Sequence, residues 1–171
     1  MVNMRPFTAF EQKNLKFLVN HNVKFTIVEI TPTGLGKGIL DSTAPMRAYF
    51  LENGIHNYEE QLQGQEHKQI KQACILTDAT QFFTKASFYR PNTKKGDPRM
   101  WIYGFGSYTE GNDIHVLFWH EQTLYSINIT HIDIDKCYNS AIITPIQDIL
   151  KAINKEGNSV SEEILGRFCA V

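Results

Sequence analysis

The side chains best suited to chemistry in this sequence are cationic and crowded together. Lys85, Arg90, Lys94, Lys95 and Arg99 fall within fifteen positions, with Asp97 the single acid among them. That stretch carries +4 in a chain of formal net charge −1, which leaves the remainder at −5. A mostly acidic body with one basic strip points to an anionic partner. The residue types divide the work of binding one. Arg90, Lys94 and Arg99 can donate to guanine O6 and N7, Asn92 suits adenine, and Asp97 can accept from cytosine N4. Lys85 and Lys95 suit phosphates, which set register without reading sequence. The plain alternative is a solvated hairpin loop with no partner. The aromatics Phe88, Tyr89, Trp101 and Tyr103 at its base weigh against that reading.

A second segment, Thr33-Gly-Leu-Gly-Lys-Gly38, invites a phosphate-binding assignment. It is not a nucleotide P-loop, because Gly38 follows Lys37 where Ser or Thr must stand, and the GxGxxG spacing is missing too. The sequence reads as a flexible loop. Gly34, Gly36 and Gly38 would bring backbone N–H groups close to phosphates, beside Thr33 and Lys37.

Catalytic patterns are weaker. A restriction-type nuclease needs one acid, then a second acid separated by one residue from a lysine, to hold Mg²⁺. Asp78 followed by Phe83-Thr84-Lys85 lacks the second carboxylate, and Asp133-Ile-Asp135-Lys136 has its acid directly beside the lysine. The six histidines form no HxxxH or HExxH pair, no serine has a GxSxG setting, and no cysteine belongs to a CxxC. On spacing alone there is no catalytic residue and no metal or other cofactor to assign; Mg²⁺ would enter only with a separate nuclease domain.

These residues must be positioned by a largely β scaffold. Positions 8–20 read as a short amphipathic helix capped by Thr8. Positions 24–30 form a strand that runs into the Gly-rich segment, and a helix opens at Asp41 and ends at Asn53-Gly54. Five strands follow, at 71–76, 80–89, 99–105, 114–120 and 123–130, with Glu121-Gln122 as a two-residue turn. The prolines of Pro91-Asn-Thr-Lys-Lys-Gly-Asp-Pro98 make the basic centre a loop stiffened at both ends. Closely spaced strands with few helices predict a barrel or curled sheet. Ile142, Ile143, Ile146, Ile149, Leu150 and Ile153 then recur at helical spacing, with Pro145 near the helix start, and a last helix is expected at 161–168.

Composition sets the frame. A chain of 171 residues, 42% hydrophobic and 20% charged, makes one globular domain. No apolar run nears the roughly 20 residues that cross a bilayer. The N-terminus lacks a signal-peptide layout, and Cys74, Cys137 and Cys169 are odd in number and widely spaced, so reduced thiols in a cytoplasmic protein are expected.

Taken together, a strand, a Gly-rich arm (31–38), a helix, several strands and a basic arm (89–99) running into Met100-Trp-Ile-Tyr-Gly104 resemble the plant B-three DNA-binding pseudobarrel. The version in the effector, or target-recognition, domain of EcoRII-type restriction endonucleases is the more similar one. The order Lys94-Lys95, Arg99-Met-Trp101, Gly104 carries that likeness, which spans about residues 23–130. The resemblance implies an antiparallel seven-stranded pseudobarrel over about 23–136, mainly β with flanking helices. It implies two arms gripping the major groove of double-stranded DNA with a CCWGG-like site in a bacterial type II restriction enzyme; the sequence leaves the oligomeric state open, and a monomer would suffice to bind. Tyr89, Trp101 and Tyr103 would brace the second arm. Helices over 140–168 lie outside the basic barrel and would be an elaboration or a connection to a catalytic domain. A complete small Mg²⁺-dependent endonuclease and an RNA-binding barrel with stacking aromatics are the rival readings.

Overall fold

The computed structural model describes residues 4–155, so the helix expected at 161–168 and Cys169 lie outside the described residues. Among the described residues the α-helices are α1 (Ala9–Asn20), α2 (Pro32–Lys37), α3 (Ala44–Glu52), α4 (Phe105–Tyr108), α5 (Ile134–Tyr138) and α6 (Pro145–Lys155). Seven strands are β1 (Thr26–Ile30), β2 (Leu40–Asp41), β3 (Gln69–Leu76), β4 (Gln81–Tyr89), β5 (Arg99–Ile102), β6 (Asp113–His120) and β7 (Thr123–Asn128). Two 3-10 turns, Tyr58–Glu60 and Gln65–His67, bridge α3 and β3.

All seven strands join one sheet in the order β1-β6-β7-β3-β4-β5-β2, nearly closed into a barrel. The fold is mixed α+β, as expected of a mainly β chain with flanking helices. The sheet is not wholly antiparallel: β3 and β7 run parallel, with Ala73 opposite Leu124 and Leu76 opposite Ile127. The β6–β7 hairpin turns through Glu121 and Gln122, whose φ values of 47° and 64° give the left-handed pair that a two-residue turn requires.

Strand alternation separates two cores. The inner one takes residues from every strand: Val28 and Ile30, Leu40, Ala73 and Ile75, Ala86 and Phe88, Met100 and Ile102, Leu117, Leu124. Contributions from all seven mark this as the enclosed side, and Met46, Tyr49 and Phe50 of α3 plug it. The outer core draws on β1, β6, β7 and the last half of β3 alone, covered by Leu15 and Leu18 of α1, Ile134 of α5, and Ile146, Leu150 and Ile153 of α6. Among the described residues, α1, α5 and α6 do not extend over the outer surface of β4, β5 and the first half of β3.

The α1 cover is fastened by polar contacts. Thr8 caps the helix in a capping box with Glu11. Glu11 is fully buried, and its two oxygens accept from both Arg5 Nη atoms (2.8 and 2.6 Å), the Thr8 N–H (2.9 Å) and Thr130 Oγ1 (2.6 Å). Burial alone would push this carboxyl up, but the donors outweigh it and hold it at about 2. Asn14 completes the seam, donating to the carbonyls of Ile129 and Ile132 and accepting from the Ile134 N–H.

Several expected boundaries shift by a residue or more, and three places show why. The strand expected over 99–105 stops at Ile102, because Gly104 takes φ 100° and turns the chain into α4, burying Phe105. Asp41 does not open a helix; it pairs in β2, and α3 begins at Ala44 with Pro45 in its first turn. Ile142 and Ile143 precede α6 and stay exposed, since Thr144 Oγ1 accepts from the Gln147 N–H and starts the helix at Pro145. Among the described residues no helix is long and apolar enough to cross a membrane.

Candidate nucleic-acid interface

The Gly-rich arm departs most from expectation. It is not a flexible loop but the helical turn α2, capped by Thr31, whose Oγ1 accepts from the Gly34 N–H at 3.0 Å. The Gly38 N–H goes to the Gly34 carbonyl, and Gly38 closes the turn with φ 67°. The N–H groups of Gly34 and Gly38 are thus spent inside the arm, so their expected role toward phosphate is corrected. Thr33, Gly36 and Lys37 remain exposed. Gly34 is buried because a Cβ there would stand 2.6 Å from Leu40 Cδ2 and 2.8 Å from the Ile39 carbonyl oxygen. Gly34→Ala should cost at least 1 kcal/mol by overpacking, read as a lower urea midpoint at unchanged m-value.

The basic loop 91–98 rests on the segment before β3. Gln61 donates to the carbonyls of Phe88 and His67 and accepts from His56 Nε2 at 2.8 Å. His56 stacks on Phe88 with ring centroids 4.9 Å apart, and burial lowers its pKa. Arg90 folds inward here. Its Nε donates to the Gly96 carbonyl at 3.0 Å, with Nη1 at 3.4–3.5 Å from the Gln61 and Tyr58 carbonyls. Arg90 therefore pins the loop, and reading a base would require it to abandon these partners. Asn92, Lys94, Lys95 and Asp97 stay exposed at the tip.

The two arms meet at the β2–β5 pair. Asp41 lies opposite Arg99, their side chains form an ion pair, and the Ser42 N–H donates to the Pro98 carbonyl at 3.0 Å. Tyr58 locks the junction from below. Its hydroxyl donates to the Arg99 carbonyl at 2.8 Å and shares a 2.6 Å contact with Ser42 Oγ, and burial pushes its pKa up. Trp101 stands edge-on to Phe105 at 5.2 Å, with its indole against Gly38 at the end of α2.

Pairing also sorts the side chains of the uncovered face. Opposed residues share a face, so Tyr89 and Arg99, Ser87 and Trp101, and Gln72 and Lys85 lie side by side. Tyr103 follows level with Lys85, donating its N–H to the Lys85 carbonyl. Lys85 is exposed, and around it Phe83 is 65%, Ile70 44% and Tyr103 41% exposed. Lys68, whose Nζ sits 5.5 Å over the Tyr89 ring, adds a cation that reasoning from sequence passed over. Phe83 and Gln72 were also missed; only pairing register reveals them, since both look like ordinary strand residues.

The surface therefore runs from Lys37 on α2, across Arg99 at the junction and the Lys94–Lys95 tip, to Lys85 about 13 Å along β4. No family model matches this chain, nor does any curated protein or solved structure match it significantly.

Proposed function

We propose that this chain binds double-stranded DNA through the surface shared by α2, the loop 91–98 and the uncovered face of β4 and β5. The observation that carries the reading is the β2–β5 junction. Hydrogen bonding there holds the two cation-bearing segments side by side, with Lys37, Lys94 and Lys95 pointing away from the core. A rigid pair of cationic projections fits two adjacent phosphate rows, and Arg99 between them stands where a base edge would come. By its resemblance the barrel would be the recognition domain of a type II restriction endonuclease with a CCWGG-like site. The ion pair with Asp41 orients the Arg99 guanidinium at the junction, and either a guanine edge or a phosphate could take the place of that carboxylate.

A second reading has its own observation. Phe83 and Tyr103 are exposed beside Lys85, and exposed aromatics with cations stack unpaired bases. Competition between duplex and single strands separates the two.

The test is affinity for duplex DNA as salt is raised. With four to six phosphate contacts, log K against log[salt] should fall with a slope of roughly −4 to −5. A slope near zero, or stronger binding to single strands, rejects the duplex reading. Sequencing what the chain retains from a randomised duplex pool tests the CCWGG-like target.

A further inference from the structure

Elsewhere on the barrel, Asp78, Asp133 and Lys136 line one cavity of about 720 Å³. Spacing along the chain had dismissed these residues, and the fold gathers them. On the cavity wall lie three more groups of metal-ligating type: Glu110, Asp113 and His131. They come from the turn before β6 and the segment after β7, brought together by β6–β7 pairing. One ligand atom from each lies within 4.8 Å of the other two. Asp113 Oδ1 stands 3.0 Å from His131 Nε2, and Glu110 Oε2 stands 3.8 Å from the same nitrogen.

The centre of this set is built rather than incidental. Asp113 is buried, and its Oδ2 accepts from Asn128 Nδ2 at 2.9 Å and from the Glu110 N–H at 2.8 Å. Asn128 is itself buried and tied to the Tyr108 carbonyl. With Oδ2 engaged by the Asn128 amide and the Glu110 backbone N–H, Oδ1 is left toward the imidazole. That is how outer partners fix a metal-binding carboxylate. Glu110 and His131 are exposed side chains with room to adjust. Ligands of one ion at about 2.1 Å stand up to about 4.2 Å apart, so sub-ångström shifts close the site.

We propose that Glu110, Asp113 and His131 bind one divalent first-row transition-metal ion. The imidazole selects against Ca²⁺ and Mg²⁺, which favour all-oxygen sets, and two carboxylates balance the charge of a divalent ion. Three protein ligands leave coordination positions open toward the cavity, which Asp133 also lines. The turn that carries Glu110 packs through Gly111 on Pro32 of α2, but metal binding is tested without DNA and does not rest on the DNA-binding reading.

The experiment is titration of the metal-free full chain with Co²⁺, followed by absorbance and calorimetry. One ion per chain is expected. His131→Ala and Glu110→Gln, both at exposed side chains, should each weaken binding at least tenfold. His67→Ala, elsewhere on the surface, should leave it unchanged. Thermal melts of the variants in chelator confirm that they fold. Absence of one-to-one binding, or equal affinity in wild type and His131→Ala, overturns the proposal and leaves the cluster a set of side-chain contacts between His131 and its carboxylates.

Discussion

Replacing Glu11 by alanine is expected to cost about 3–5 kcal/mol of folding stability. The side chain is wholly enclosed and serves four donors from three segments: Arg5 (twice), Thr8 and Thr130. Truncation leaves a guanidinium, a hydroxyl and an N–H facing a cavity, and buried donors without partners are what make such losses large. It also undoes the capping box of α1, the helix that closes the outer core through Leu15 and Leu18. The pH dependence identifies the cause. The carboxyl is held at about 2 in the folded chain, below its ordinary value of 4.5. A depressed carboxyl stabilises the fold in full above about pH 4.5, and that contribution, about 3 kcal/mol, is lost as pH falls through about 2. Glu11→Gln keeps the shape but not the charge, so it should flatten stability between pH 5 and 2. Urea midpoints measured across that range check both variants; wild-type and Glu11→Gln curves of the same slope would show that other acids govern acid unfolding.

The strands were legible because their signals are local. Positions 81–89 and 113–128 alternate or run β-branched and aromatic, and Glu121-Gln122 sits where a two-residue turn must be. The Gly-rich arm was misread for a physical reason. Glycine in sequence announces freedom, yet Gly34 is required by crowding against Leu40, which only the folded chain supplies. Arg90 could be recognised as basic but not as inward, because the Tyr58 and Gln61 carbonyls that draw it in lie about thirty residues earlier. The parallel β3–β7 pairing and the gathering of Asp78, Asp113 and His131 are likewise non-local. Spacing rules for carboxylates and histidines assume ligands on one element, and here they come from several.

The two kinds of basic residue should fail differently. Arg99→Ala is expected to cost about 1–3 kcal/mol on the preferred duplex and much less on random DNA, so the specificity ratio falls. The guanidinium is well placed for this: its strand is paired on both sides, by β4 and β2, and Tyr58 holds its carbonyl, so a bidentate contact costs little ordering. Lys85→Ala, on an exposed strand position, should weaken both kinds of DNA alike and make the salt slope shallower by about one. Asp41→Asn adds a check that follows from the ion pair. It frees Arg99 from its carboxylate and removes a negative charge from the binding surface, so affinity should hold or rise, most of all for random duplex, whose contacts are phosphates. Anisotropy titrations of the three variants against both duplexes decide the matter. Equal losses on both DNAs for Arg99→Ala would make it a phosphate contact, and no change in any variant would place DNA binding, if it occurs, on another surface.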